Sequence, residues 1–236
     1  MTPREQARIQ PLLKAHAFLG GLPDAVLDGM IQRGQMRAYK KGEIVFQRGD
    51  PGDSLMLLVT GGIKLSLVSA RAKEVVLHFV GAGELFGQIS AFDGEPRTSA
   101  AVALEDSEVF IAHTRDFLPA VVGSPATAVA VVRHLCGRVR NRVSLFEDQT
   151  FDMRARLARG LVRLANQLGQ RRKDGIHLEL AATQEELGNY LGLARANVSR
   201  LLGELKSLEV IKSNGPRIVI ADERRLAEIA EAEPLE

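Results

Sequence analysis

Arg195, Ala196, Ser199 and Arg200 recur at a spacing that places them on one outer helix face, with Asn197 at its edge. Guanidinium, hydroxyl and amide groups presented this way suit contact with base edges and phosphates in a major groove. The opposite face of the same helix carries Val198, Leu201, Leu202, Leu205 and Leu208 and must be buried. Upstream, Thr183 and Glu186 stand in a capping-box relation. Leu187 and Leu191 follow as one short apolar face, and Gly192 suits a left-handed cap. Two helices joined by a tight turn, the second one basic on its free face, form a helix-turn-helix. Apolar runs at 210–211 and 217–220 flank Asn214-Gly215 and predict a β-hairpin. A hairpin in that position is a wing that lies along the phosphate backbone.

Charge distribution agrees. The chain has 236 residues and a net charge of only +2. Residues 151–221, however, hold 12 Lys and Arg against 7 Asp and Glu, which leaves the remainder net acidic. A basic C-terminal half beside an acidic remainder fits a nucleic-acid module joined to something else. The acidic tail Glu228, Glu231, Glu233 and Glu236 reads as a solvated helix end. The single cysteine, Cys136, excludes an intramolecular disulfide framework and a four-cysteine zinc or iron–sulfur site within one chain. His78, His113 and His134 read as isolated, so no haem or metal is expected. No clustered catalytic constellation, phosphate-binding P-loop or serine elbow is present, which argues against an enzyme. No apolar run reaches membrane-spanning length and no signal-peptide pattern opens the chain, so a cytoplasmic protein with no membrane partner is expected.

The elements ahead of the helix-turn-helix follow in order. Residues 5–33 predict short helices, with Pro23 opening the second. From 35 to 112 the pattern changes to short apolar runs punctuated by glycine. Strands are expected at 43–46, 55–59, 63–68, 75–80, 100–104 and 108–112. Many short strands with no room for helical crossovers imply an antiparallel sandwich or barrel. Residues 114–122 return to helix. Pro125 then opens the longest helix, to about 148, along which Val129, Val132, Cys136, Val139, Val143, Phe146 and Thr150 step by alternating threes and fours. Such a heptad seam suits a partner helix and predicts a homodimer, while Leu135 and Leu145 fall off it. A hinge is expected at 149–151, then a helix at 153–170 capped by Asp152, a basic loop at 170–175, a strand at 178–180 and, after the wing, a final helix capped by Asp222.

This order resembles the CRP/FNR family of bacterial transcription regulators, over about residues 15–220. Two stretches carry the likeness: the helix-turn-helix above, and residues 83–100. The latter, with Phe86-Gly87-Gln88-Ile89 and Pro96-Arg97-Thr98-Ser99-Ala100, resembles the phosphate-binding cassette of cyclic-nucleotide-binding domains. The resemblance implies an α+β protein. An N-terminal antiparallel β-barrel of jelly-roll type spans 1–124, a dimerisation helix and hinge 125–150, and a winged helix-turn-helix 151–236. It also implies an effector such as cAMP or cGMP. Arg97 would pair with its phosphate, Thr98 or Ser99 would donate a hydroxyl, and Gly87 would admit the backbone. Phe86 and Ile89 belong to the same cassette, and Asn141 and Arg142 align where the base would meet the long helix. The family's ribose-binding glutamate is replaced by Gln88, which weakens the expected 2′-hydroxyl contact and leaves Arg97 without an internal counter-ion.

In the family pattern, Arg195 and Arg200 fall at the arginines that hold guanine. Ala196 replaces a glutamate that reads cytosine, so the half-site should depart from the family's usual TGTGA at that base pair. Asn197 and Ser199 supply polar contacts; Thr183, Gln184 and Lys212 are phosphate-contact candidates. The implied partners are double-stranded DNA with a palindromic site, a second copy of the chain, and RNA polymerase. Two alternatives stay open: a ligand-independent regulator with a silent barrel, and a cyclic-nucleotide-binding module that does not act on DNA.

Overall fold

In a computed structural model of the chain, residues 1–178, 180–214 and 217–231 are described. The predicted wing turn at Gly215, the strand position at Glu179 and the tail residues Glu233 and Glu236 lie outside the described residues. Contacts divide the chain into two units. One comprises Met1–Leu67 and Phe79–Arg140; the other comprises residues 68–78 and 141 onward.

The first unit begins with helices α1 (Pro3–Ala15) and α2 (Asp24–Arg33). Strands β1 (Gln35–Tyr39), β2 (Ile44–Phe46), β3 (Ser54–Thr60), β4 (Ile63–Val68), β5 (Glu74–Val80) and β6 (Leu85–Phe86) follow. A short helix α3 (Gln88–Asp93) precedes β7 (Ala100–Ala103) and β8 (Ser107–His113). The strands form two four-stranded antiparallel sheets, ordered β1-β8-β3-β6 and β2-β7-β4-β5. Strand β3 shows why a near-continuous apolar run was needed. Met56 and Leu58 pack with Phe46, Ile63, Phe86 and Ala101 between the sheets. Leu55, Leu57 and Val59, on its other face, pack under the helices with Ile9, Leu13, Leu27 and Phe110. A strand covered on both faces cannot alternate in polarity.

Strand β1 was not foreseen. Its exposed Gln35, Arg37 and Ala38 give no apolar alternation, and its pairing with β8, Gln35 opposite Ile111 through Tyr39 opposite Ser107, creates it. Helix α4 (Leu118–Val122) leads to α5 (Pro125–Glu147), the longest element. Leu135, off the seam, packs against the buried cluster that α1 and α2 form with β3 and β8. The seam residues are open on the single chain: Val132 is 58% exposed, Val139 61% and Phe146 77%.

The second unit contains α6 (Met153–Leu168), β9 (Gly169–Arg172), β10 (Gly175–Leu178), α7 (Gln184–Leu191), α8 (Arg195–Ser207), β11 (Ile211–Asn214), β12 (Arg217–Ile220) and α9 (Glu223–Ala230). Asp152 caps α6 by accepting from the Arg154 and Ala155 amides, and Asp222 caps α9 by accepting from Arg225. The small sheet runs β11-β12-β10-β9, all antiparallel. The stretch expected as a basic loop is a β-hairpin, with Gln170 opposite His177 and Gly169 opposite Leu178. The following strand accordingly lies earlier than its apolar residues suggested, at Gly175–Leu178, and Leu180 is not part of it.

Candidate functional site

The cassette at residues 83–100 is built around one buried cation. Strand β6 seats Phe86 in the core, fully buried and stacked 6.1 Å from Phe46. Gly87 then takes φ +76° to turn the chain into α3. A β-carbon at Gly87 would lie 2.7 Å from Arg97 Nη1, so a glycine is required twice over, by conformation and by space. Arg97 is 3% exposed. Its backbone is fixed on both sides, with its amide donating to Asp50 O and its carbonyl accepting from Gly49 N, each at 2.9 Å. Its Nη1 donates to Gly87 O at 2.8 Å, and its Nη2 to Ser54 O and Ser54 Oγ, each at 2.9 Å. The guanidinium sits 4.6 Å above the Phe46 ring. Its Nε is buried without a partner among the described groups.

Burial pushes the Arg97 pKa down, and the charges of Asp53 and Asp50 push it back up. These two carboxylates, Asp53 exposed and Asp50 half-buried on the loop before β3, act on Arg97 through their charge without a hydrogen bond to it. Ser99 is buried beside this group in sequence, whereas Thr98 and the side chain of Ile89 are exposed. Of the two hydroxyls considered, Ser99 is the one held in the interior. Asn141 is exposed and Arg142 half-buried, on the part of α5 that belongs to the second unit.

Gln88 is 3% exposed, and its Nε2 lies 3.5 Å from His134 Nε2 on α5. His134 is not isolated. Its ring is 5.2 Å from His16 and 5.6 Å from Phe18. Burial, then the neighbouring His134, push the His16 pKa down to about 4, against a smaller upward pull from Glu84. Burial and Arg138 lower His134 as well. Both rings are thus neutral at physiological pH, which leaves His134 Nε2 able to accept from the Gln88 amide. His78 also has a partner, Gln167, at 3.0 Å. His16 escaped the sequence reading because only folding brings the end of α1 against α5.

In the second unit the capping box is formed. Thr183 Oγ1 accepts from the Glu186 amide, and Glu186 Oε2 accepts from the Thr183 amide at 2.8 Å. Gly192 takes φ +70° to make the turn. Helix α8 buries Val198, Leu201, Leu202 and Leu205, and leaves Arg195, Ala196, Ser199 and Arg200 exposed with Asn197 half-buried. Arg200 is ion-paired with Glu204 one turn on. Thr183, Gln184 and Lys212 are exposed.

The junction between α5 and α6 carries a network that the sequence reading missed. Asp148, 1% exposed, is paired with Arg159 Nε at 2.6 Å and Arg163 Nη2 at 2.5 Å. Arg156 donates to the carbonyls of Asp148, Gln149 and Phe151, and Arg159 lies 4.2 Å over the Phe151 ring. The segment expected as a hinge is therefore tied at every residue but Thr150 to the first turns of α6. Arg156, Arg159 and Arg163, spaced by threes and fours after Asp148, were the available signal. Among the described residues no group of three or more His, Cys, Asp or Glu could hold a metal ion, and no helix is long and apolar enough to cross a membrane.

Comparison with known proteins places both halves. A family model described as a cyclic nucleotide-binding domain matches residues 36–124, and one described as a Crp-like helix-turn-helix domain matches 155–229. The chain is 28% identical over 218 residues to a CRP-like cAMP-activated global transcriptional regulator of Mycobacterium tuberculosis, covering 92% of this chain and 96% of that one. It is 30% identical over 207 residues to electron transport regulator A of Shewanella oneidensis, covering 85% and 79%. Its fold matches the solved structure of FixK2 from Bradyrhizobium japonicum with a TM-score of 0.74, at 20% identity over 85% of this chain and 98% of that one. With both matched domains in the order found here, and an exposed basic helix in the second, the chain belongs to the CRP/FNR family of DNA-binding transcription regulators.

Proposed function

We propose that this regulator is a homodimer whose affinity for a palindromic DNA site is set by a small anionic effector held at Arg97. The observation that carries the effector is the buried Arg97 Nε, which has no partner while the rest of the guanidinium is bound. An unsatisfied buried donor costs about 1–3 kcal/mol, and a phosphate oxygen would satisfy it with a charge-assisted bond. Ser99, buried two residues further along the chain, would supply a hydroxyl to the same phosphate. The printed description of the Mycobacterium relative as cAMP-activated makes cAMP the first ligand to try, with cGMP second.

The exposed Val129, Val132, Cys136, Val139, Val143 and Phe146 support dimerisation along α5, since unpartnered apolar residues at heptad spacing gain from a second helix. A two-fold dimer presents two copies of α8 to half-sites about one helical turn apart. Arg195 reads guanine there, Arg200 does so once it leaves Glu204, and Ala196 meets an apolar base edge. Asn197 and Ser199 add polar contacts, and Thr183, Gln184 and Lys212 hold phosphates. RNA polymerase is the protein partner that this activity implies.

A thermal-shift panel with cAMP, cGMP and cyclic dinucleotides tests the effector. A ligand at about 100 times its Kd that binds only the folded state stabilises by about 2.7 kcal/mol. The shift is expected with one of these nucleotides and is expected to vanish in Arg97→Ala. Constitutive DNA binding is the second reading, favoured by the bonds that already hold Arg97 to Gly87 and Ser54 and Gln88 to His134. No shift with any nucleotide, together with nucleotide-independent DNA binding, selects it.

A further inference from the structure

Helix α8 carries a single acidic residue, Glu204, and it is bonded to one of the two arginines on the outer face. Arg200 donates from Nη1 to Glu204 Oε1, one turn further along. Four residues turn a helix through about 400°, so the two side chains leave it about 40° apart on the same side, and about 6 Å apart along the axis. Arg195 has no such neighbour. No Asp or Glu stands three or four positions from it on α8. Glu204, nine residues on, leaves the helix at the opposite edge of the face, about 13.5 Å away along the axis. Beside the pair the face is bare: Gly203 is exposed, and a β-carbon there would meet nothing within 4 Å.

The side chains of Arg200 and Glu204 are 53% and 40% exposed, so the pair is open to a duplex lying against α8. What Arg200 does there is a competition between acceptors. An exposed ion pair of this kind is worth only about two- to fivefold in an equilibrium. Guanine offers O6 and N7 together, and a bidentate contact of that kind discriminates by about tenfold or more, so guanine draws Arg200 away from Glu204. A phosphate oxygen offers one exposed ionic contact. Glu204 already supplies a contact of the same kind from one turn away, so a phosphate does not outweigh it.

We propose that Glu204 is a specificity-determining residue, which keeps Arg200 off the phosphates of any duplex that offers it no guanine. The proposal rests on the reading of α8 as the helix that enters the major groove and of Arg200 as a guanine reader. Its consequence is that the two arginines act differently. Arg195, with no carboxylate beside it on α8, is free to add to affinity for every sequence, whereas Arg200 adds only at its own base pair. Ala196 fits the same account. In the family pattern the carboxylate beside this arginine stands four residues before it and reads cytosine. Here it stands four residues after it and holds the arginine instead.

The test is a double-mutant cycle on the full-length chain. Binding to a duplex of about 40 A·T pairs, which holds no guanine, is followed by fluorescence anisotropy between about 50 and 200 mM salt. Glu204→Gln is expected to tighten binding by about two- to fivefold, and to steepen the slope of log K against log salt by about 0.9, the contribution of one phosphate contact. Arg200→Gln is expected to leave both at their wild-type values, and the double variant to match Arg200→Gln. Both side chains are well exposed, so melting curves should match wild type and report that the fold is intact. Equal tightening by Glu204→Gln in the wild-type and Arg200→Gln backgrounds would overturn the proposal and leave Glu204 as a charge that repels DNA. No tightening in either background would overturn it as well. So would a shallower slope in Arg200→Gln alone, which puts Arg200 on a phosphate already. Failure of the wild-type chain to bind any duplex, those selected from random sequence included, would instead remove the DNA-binding reading itself, and this proposal with it.

Discussion

Arg97 donates from Nη1 to the carbonyl oxygen of Gly87 at 2.8 Å, which ties the end of the cassette to the start of its helix. The contact is possible because Gly87 has φ +76° and no side chain. Gly87→Ala meets both obstacles at once, a left-handed backbone and a β-carbon 2.7 Å from that nitrogen. A loss of about 1–3 kcal/mol is expected, read as a lower urea midpoint. An unchanged midpoint would show that the turn relaxes freely and does not constrain Arg97.

Gln88 faces His134 as a donor, and that sets what a carboxylate would do in its place. In Gln88→Glu the facing nitrogen of His134 must become a donor, by a change of tautomer or by protonation, and the carboxylate charge raises the His134 pKa. The added charge also strengthens any bond from a ribose 2′-hydroxyl by about 1 kcal/mol, roughly fivefold in affinity. Calorimetry with cAMP and with its 2′-deoxy analogue checks this. The gain should appear for cAMP and be absent for the deoxy compound; an equal gain for both would remove Gln88 from the ribose contact.

His16 gives the fold a dependence on acid. Its pKa is pushed down to about 4, mainly by burial and next by His134, from an unfolded value near 6.5. Between those values the unfolded chain binds the proton and the folded one does not. Stability from this group is thus fully present above about pH 6.5 and is lost as pH falls towards 4, by about 1–3 kcal/mol for a partly exposed ring. Urea midpoints at pH 7.5 and 5 should differ accordingly, and His16→Leu should flatten the difference. A variant as acid-sensitive as wild type would place the titration elsewhere.

Cys136 offers a direct reading of the seam. It lies exposed on α5 midway between Val132 and Val139, both also exposed. In a parallel two-stranded packing, equivalent seam positions approach each other across the axis. Mild oxidation should therefore give a covalent dimer on a non-reducing gel, abolished in Cys136→Ser. The same cysteine moved by half a turn, in a Cys136→Ser background with Arg138→Cys, should cross-link poorly. Efficient linkage from position 138 alone would rotate the interface off the heptad face.

Periodicity and capping chemistry made the helix-turn-helix legible, because α8 must bury Val198, Leu201, Leu202 and Leu205 whatever its partner. Thr183, Glu186 and Gly192 mark its boundaries by local hydrogen bonding and backbone sign alone. Strands β1 and β9 were not legible. Gln35–Tyr39 and Gly169–Arg172 have few apolar residues and become strands by pairing with β8 and β10. The cassette's residue types were readable, but the environment of each was not. Nothing near Gln88 in sequence points to His134, nor near His134 to His16, since those contacts arise when α1 and α3 both pack on α5. Asp148 likewise marks only the approximate end of a long helix in the sequence, and only the register of α6 places Arg159 and Arg163 against it.

The central claim is that an effector at Arg97 sets the affinity of a dimer for symmetric DNA. Selection from random duplexes by the purified chain, with and without cAMP, tests it most directly, run in parallel on Arg97→Ala. A two-fold motif with half-sites about one turn apart, enriched more strongly with nucleotide in wild type and equally with or without it in the variant, is the predicted result. Recovery of no symmetric motif under any condition would contradict the account.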